Sequence, residues 1–275
     1  MRALLTSILL ISTTFIALLW VKPYFSSAKN SSVSAVTTNS PASVVTKNSS
    51  ASVVENSSPS TAIAHYVVKK SSKVADVDVN KLISVASSEG LKPKALKAAL
   101  NAYSWALHHG KLGSNKNTLT VVDFTLPSYR KRMWVLNLHQ NKVLMKLHTT
   151  QGAGSGLLYA SRFSNKNNTQ ATSIGLYVTS NEYYGGHGKS MRLDGLQKGV
   201  NDNARRRNIV IHEAPYASPE YIKMNHRAGR SWGCFAIAPS SKKALLGYVK
   251  GGSAFFAYAQ AIEKNTIVSN GPISI

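Results

Sequence analysis

Between Phe25 and Tyr66 the chain has no aromatic residue and consists of little but Ser, Thr, Ala, Val and Asn, broken by Lys29, Lys47 and Glu55. Such side chains bury too little apolar area to offset the entropy of ordering them, so no core can be built there. "SSVSAVTTN", "SPASVVTKN" and "SSASVVENS" follow one another as a loose repeat. No unit of it holds a core-sized side chain, so residues 29–65 read as a low-complexity linker rather than a solenoid. Of 275 residues, roughly 200 remain for folding, the size of one domain.

Ahead of the linker, Arg2 precedes an apolar run from Ala3 to Val21 that Lys22 and Pro23 close. The run resembles a secretory h-region and is also close to the about 20 apolar residues that span a bilayer. Ser26 and Ala28 place small residues where a signal peptidase reads. Residues 1–28 therefore read as a signal peptide or as an uncleaved membrane anchor. Either way the rest of the chain is expected outside the cytoplasm, in the periplasm or cell envelope.

Lys plus Arg number 33 against 11 Asp plus Glu, a formal charge of +22. Such a balance biases a protein toward polyanions. No RNP, zinc-finger or helix-turn-helix pattern is present, so nucleic acid is not expected as a partner, and an exported chain meets anionic envelope polymers instead. The two tight basic runs, "RKR" at 130–132 and "RRR" at 205–207, read as solvated surface.

Residues 66–117 form a helical lead-in. Asn80 is placed to cap a short helix through Ser88. A second helix has Pro93 early, Leu96, Leu100, Tyr103 and Leu107 on one face, and Gly110 as its stop. From 118 to 275 the pattern changes to β. "TLTVVDF", "RMWVLNLH", "KVLMKLHTT", "SIGLYVT" and "NIVIH" are β-branched or alternating runs, and "QN" joins the second and third as a hairpin. "PSSKKALLGYVKGG" reads as a helix capped by Ser240 or Ser241 with Gly251 past its end, and "SAFFAYA" as a returning strand. The fold class is mainly β (α+β), and a monomer is expected.

Cys234 is the one cysteine, set in "GRSWGCFA". In an oxidising compartment it has no internal partner for a disulfide. It is a buried small hydrophobe, an intermolecular link or a nucleophile. A nucleophilic thiol requires a base or a positive field to lower a pKa of about 8.5. His212, ending the strand "NIVIH", is the natural base among eight histidines, and a Cys–His pair is the minimum for acyl transfer. Metal is not expected: there is no C-x-x-C, and "HEAPY" lacks the second His of H-E-x-x-H.

A strand-end His followed by Ser-x-Gly-Cys resembles the catalytic motif of the YkuD-like murein L,D-transpeptidases. "GSGLLYASRFSN", "SIGLYVTSNEYYGGHGKSMRLDGL", "GVNDNARRRNIVIH" and "GRSWGCFA" are similar to successive blocks of one branch of that family, from about Leu119 to Tyr258. The resemblance implies a β-sandwich-type catalytic domain over 118–275, with the two helices before it and one after the catalytic loop. It implies that Cys234 attacks a peptide carbonyl of a peptidoglycan stem, that His212 accepts its proton, and that the backbone around Gly233 supplies oxyanion donors. No cofactor is implied.

Ser231 matches the family Ser/Thr that orients a ring or the loop backbone. Trp232 stands where the commoner form has a second His. Glu213 replaces the Gly after the strand-end His, and Ala236 an Arg or Asn. His187, between glycines in "GGHGKS", is expected in the same cleft or on an exposed loop. Arg230 is expected on a stem carboxylate or on backbone carbonyls. The implied activity is 3-3 cross-linking through a thioester and an amine acceptor. The alternatives are an L,D-carboxypeptidase, in which water resolves the thioester, and a decayed cell-wall binding protein.

Overall fold

A computed structural model of the chain describes residues 77–269. By its contacts the chain divides into Met1–Tyr66 and Val67–Ile275, and all the described residues belong to the second unit. The expected signal or anchor segment and the linker lie outside the described residues. Among the described residues no helix is long and apolar enough to cross a membrane.

The elements run α1 (Val79–Ser88), α2 (Pro93–His108), β1 (Thr118–Asp123), β2 (Met133–Asn137), β3 (Lys142–Leu147), β4 (Gln151–Gly152), β5 (Gly175–Gly185), β6 (Gly188–Gly195) and β7 (Val210–Glu213). They continue with α3 (Pro219–Asn225), β8 (Arg230–Ser231), β9 (Phe235–Ile237), α4 (Lys242–Val249), β10 (Ala254–Tyr258) and α5 (Thr266–Ser269). Eight strands form one mixed sheet in the order β3-β2-β1-β10-β5-β6-β7-β9, and β4 pairs with β8 in a second, two-stranded sheet. The architecture is mainly β, with helices before the sheet and after β9.

The eight-stranded sheet bends back on itself. In the strand order β9 lies four steps from β10, about 19 Å in a flat sheet. Yet Phe235 of β9 meets Phe255 of β10 with ring centroids 4.6 Å apart, and also meets Tyr177 of β5 at 5.9 Å. Phe124, just past β1, completes this aromatic cluster at 6.0 Å from Phe235. The two ends of one sheet thus face each other across a shared core, as the layers of a sandwich do. Helix α2 covers β10, β1 and β5 from outside, through Leu96, Leu100 and Tyr103, and every residue of β1 and β10 is buried. Strands covered on both faces read as continuous apolar runs, which is how "TLTVVD" and "AFFAY" stand in the sequence.

The edges of the sheet are also tied together. Leaving β3, the chain runs alongside β9: Thr150 N–H donates to the Ala236 carbonyl at 3.1 Å, and Ala236 N–H donates to Thr150 Oγ1 at 3.2 Å. It then pairs as β4 with β8, Gln151 opposite Arg230 and Gly152 opposite Ser231. A side chain at 152 would strike Gly233 Cα at 2.9 Å, so only glycine lets the backbone of β4 pass the loop that carries the cysteine.

Several expectations are corrected. Helix α1 is capped two residues earlier than Asn80, by Asp78, whose carboxylate accepts from Lys81 N–H at 3.0 Å. Ser241 stands at the N-cap position of α4 but makes no side-chain cap bond, because a 3-10 turn over Pro239–Ser241 leads in. Neither basic run is wholly solvated. Arg132 is fully buried: it donates to the carbonyls of Thr149 (3.1 Å) and Leu126 (3.0 Å) and to Gln151 Oε1, and lies 5.0 Å from the Phe124 ring centroid. Burial pulls its pKa down to about 9, against the opposing pull of Asp123. In the other run Arg205 binds Asp194 through both carboxylate oxygens, and Arg207 folds inward.

Candidate active site

The site is assembled where β7 and β9 run side by side. They are parallel, with Ile211 opposite Phe235, His212 opposite Ala236 and Glu213 opposite Ile237. Ile211, Phe235 and Ile237 enter the main core. Because strand residues alternate between faces, His212 turns to the other face, together with Ala236, which packs against Ala214 and Ala217. Cys234 lies in the bend immediately before β9, and its Sγ reaches the Asn208 carbonyl and the Val210 backbone where β7 starts. The cysteine loop thus meets β7 at its first residue, two positions before the strand-end His.

His212 is 3% exposed. Its Nδ1 lies 2.9 Å from the Glu213 carbonyl oxygen. A carbonyl only accepts, so Nδ1 carries the proton and Nε2 keeps its lone pair. Burial lowers the pKa of His212; the Glu213 carbonyl and carboxylate pull it upward, and His187 pushes it down. The net effect is a neutral imidazole at neutral pH. The His187 ring stacks on that of His212 with centroids 4.2 Å apart and planes at 22°. His187 sits at the tip of the β5–β6 hairpin, so a residue remote in sequence covers the strand-end imidazole.

Ser231 organises the cysteine loop. Its hydroxyl accepts from Gly233 N–H at 3.2 Å and donates to the Cys234 carbonyl at 2.7 Å. Gly233 has φ +119, a conformation that L side chains rarely adopt. The Gly233 N–H is therefore engaged, and the Cys234 N–H takes part in none of the turn and loop bonds of the described residues. Cys234 Sγ donates to the Asn208 carbonyl at 3.4 Å, and among the described residues no hydrogen bond joins it to an imidazole. Burial pushes the thiol pKa up, while the Val210 backbone and Arg207 pull it down.

The remaining candidates surround this centre. Trp232 is exposed and, with Gln170, Arg206, Arg207 and Asn208, lines a cavity of about 230 Å³ beside the cysteine. Arg230 is exposed, with Nη1 3.5 Å from the Ala153 carbonyl. The Glu213 carboxylate is engaged by Lys242 Nζ at 2.6 Å. Lys242 and Arg207 were not singled out from the sequence. Each came from a basic stretch read as surface or helix, and only the folded chain shows which cation turns inward. Among the described residues no three His, Cys, Asp or Glu side chains cluster as metal ligands.

A family model of the L,D-transpeptidase catalytic domain matches residues 87–258, more than half of the chain. The chain belongs to the L,D-transpeptidase catalytic-domain family. The match begins inside α1 and takes in α2, ahead of residue 118. Among solved structures the chain is similar to an L,D-transpeptidase from Mycobacterium smegmatis (15% identity, TM-score 0.32, covering 52% of this chain and 59% of that one). It is also similar to an Enterococcus faecium L,D-transpeptidase (19%, 0.33, 52% and 50%) and to the helical cell shape determining protein Pgp2 of Campylobacter jejuni (14%, 0.36, 58% and 55%). The chain spans half to three fifths of the length of each of these three. No curated protein matches it.

Proposed function

We propose that this L,D-transpeptidase family member is an exported cell-envelope enzyme that cross-links peptidoglycan stem peptides through a thioester on Cys234. His212 Nε2 takes the thiol proton, and Sγ attacks the carbonyl carbon on the L-centre of the third stem residue. The C–N bond to the terminal D-alanine breaks, and its amine leaves with the proton from His212. The amine of a second stem then attacks the thioester, gives its proton to His212, and the C–S bond breaks to restore the thiol. The observation that carries this reading is the neutral, Nδ1-protonated His212 on the strand whose first residue Cys234 meets, an imidazole whose remaining lone pair is free to act as base. A rotation of the thiol from the Asn208 carbonyl toward Nε2 starts the reaction, since catalytic contacts commonly tighten only when substrate binds.

Ser231 fixes the loop that presents the thiol, Gly233 gives it the backbone turn it needs, and the Cys234 N–H is the nearest backbone donor to the developing oxyanion. His187 shields the base from water, Trp232 offers an aromatic surface to the stem, and Arg230 offers a cation to a stem carboxylate. The engagement of Glu213 by Lys242 favours one second reading, an L,D-carboxypeptidase, because a neutralised carboxylate attracts an acceptor ammonium weakly. Mass spectrometry of tetrapeptide-rich muropeptides incubated with the protein tests both. Cross-linked dimers support transfer, tripeptide alone supports hydrolysis, and unchanged tetrapeptide with no adduct on Cys234 means a binding protein without activity.

A further inference from the structure

Arg207 is a half-buried cation without an acidic partner among the described ion pairs. It leaves the loop before β7 and turns back under the cysteine loop. Its Nη1 donates to the Ser164 carbonyl at 2.6 Å and lies 3.4 Å from Ser173 Oγ, while Nη2 donates to the Ala171 carbonyl. All these acceptors are neutral. A Cβ built on Gly233 would stand 3.3 Å from Arg207 Nη2 and 2.9 Å from the Ala171 oxygen, so the guanidinium lies directly against the turn that presents Cys234. The next residue, Asn208, supplies the carbonyl that the thiol contacts.

A guanidinium withdrawn from water is costly unless an anion accompanies it. The titratable groups facing Cys234 are Arg207, Tyr177 from β5 and Tyr216 from the turn after β7, with His212 across the strand pair. Both tyrosines are held neutral by burial and His212 is neutral, so the thiolate is the one anion that this pocket can form beside Arg207. We infer that Arg207 is a positioning residue whose uncompensated charge, fixed by carbonyls against the Gly233 turn, stabilises the Cys234 thiolate. In this role it supplies the positive field that a second His beside the cysteine would supply, at the position where this chain has Trp232.

The inference rests on Cys234 being the nucleophile, and the test separates the two. The rate of iodoacetamide alkylation of Cys234 is measured against pH in the wild type, Arg207→Lys and Arg207→Gln. Loss of one opposite charge at this range predicts a midpoint moved to higher pH and alkylation about tenfold slower at pH 7 in Arg207→Gln. Arg207→Lys should recover much of the loss, although both variants forfeit the same hydrogen bonds. Should Arg207→Gln not fold, the exposed, near-isosteric Gln170→Glu sets a carboxylate in the same cavity and should move the midpoint the same way. An unmoved midpoint in Arg207→Gln, or in Gln170→Glu if the former does not fold, overturns the inference and leaves Cys234 in place. Full turnover by Cys234→Ala removes the nucleophile reading instead.

Discussion

The imidazoles of His187 and His212 stack at 4.2 Å, the first carried by the tip of the β5–β6 hairpin and the second by β7, the strand paired with β6. The contact adds to the effect of burial in keeping His212 neutral. His212 is held below the ordinary value of 6.5 by burial and by its neighbour's charge. In His187→Ala the His212 ring gains water and loses the neighbour that pushes its pKa down, so both changes raise it. The base must be neutral to act, so the acidic limb of the kcat/KM profile should move to higher pH, with little change above neutrality. An unmoved limb, measured on a soluble stem peptide, would separate the stacking from the chemistry.

Cys234→Ala should abolish turnover and leave the thermal midpoint nearly unchanged, because its Sγ makes only weak contacts with the backbone of Asn208 and Val210 and lies outside the main core. His212→Ala should lower turnover by about 10²–10⁴, the usual loss for a positioned acid–base group. Collapse of the fold in Cys234→Ala would return the cysteine to the role of a packing residue.

Much of this architecture was legible because the segments that became β1, β2, β3 and β10 carry continuous β-branched or aromatic runs, and both helices of the lead-in carry Pro or Gly punctuation. The second half of the long hairpin was not. "NEYYGGHGKS" is polar and glycine-rich, and its strands exist because β5 and β6 pair with each other, not because either has an apolar face. Helix α3 did carry a signal that passed unread: Ser218 as N-cap, Pro219 at the first position and Glu220 in the first turn. The cysteine and its histidine stood out by chemistry and spacing. Arg207 and Arg132 did not, since a buried arginine is defined by the carbonyls that meet it, and those come from loops distant in sequence.

Arg132 offers the sharpest stability test. Replacing it by Met leaves the Thr149 and Leu126 carbonyls and Gln151 Oε1 without their donor. Urea denaturation should show a loss of about 3 kcal/mol, the scale for leaving buried hydrogen-bond acceptors unsatisfied. Gln151 also belongs to β4, which braces the cysteine loop, so activity should fall at temperatures where the fold still holds. A loss below about 1 kcal/mol would mean that waters replace the guanidinium without penalty.

Lys242→Met frees the Glu213 carboxylate beside His212. A partly exposed surface pair of this kind carries roughly 0.2–1 kcal/mol, so the ratio of cross-linked dimer to tripeptide should rise by a factor of roughly 1.5–5, and Glu213→Gly should not show that rise. Equal product ratios in wild type and Lys242→Met, read by chromatography of the muropeptides, would exclude Glu213 from acceptor choice.

The seam that ties β3 to β9 gives the site a place in time as well as in space. Thr150 and Ala236 are 86 positions apart, and pairings of such separation close late, after the local helices and hairpins have formed. The loop presenting the thiol is braced from both sides only when that closure is made. The arrangement of the cysteine loop against β7 is therefore among the last features of the domain to form, and a chain stalled before that closure has its helices and hairpins but not its site.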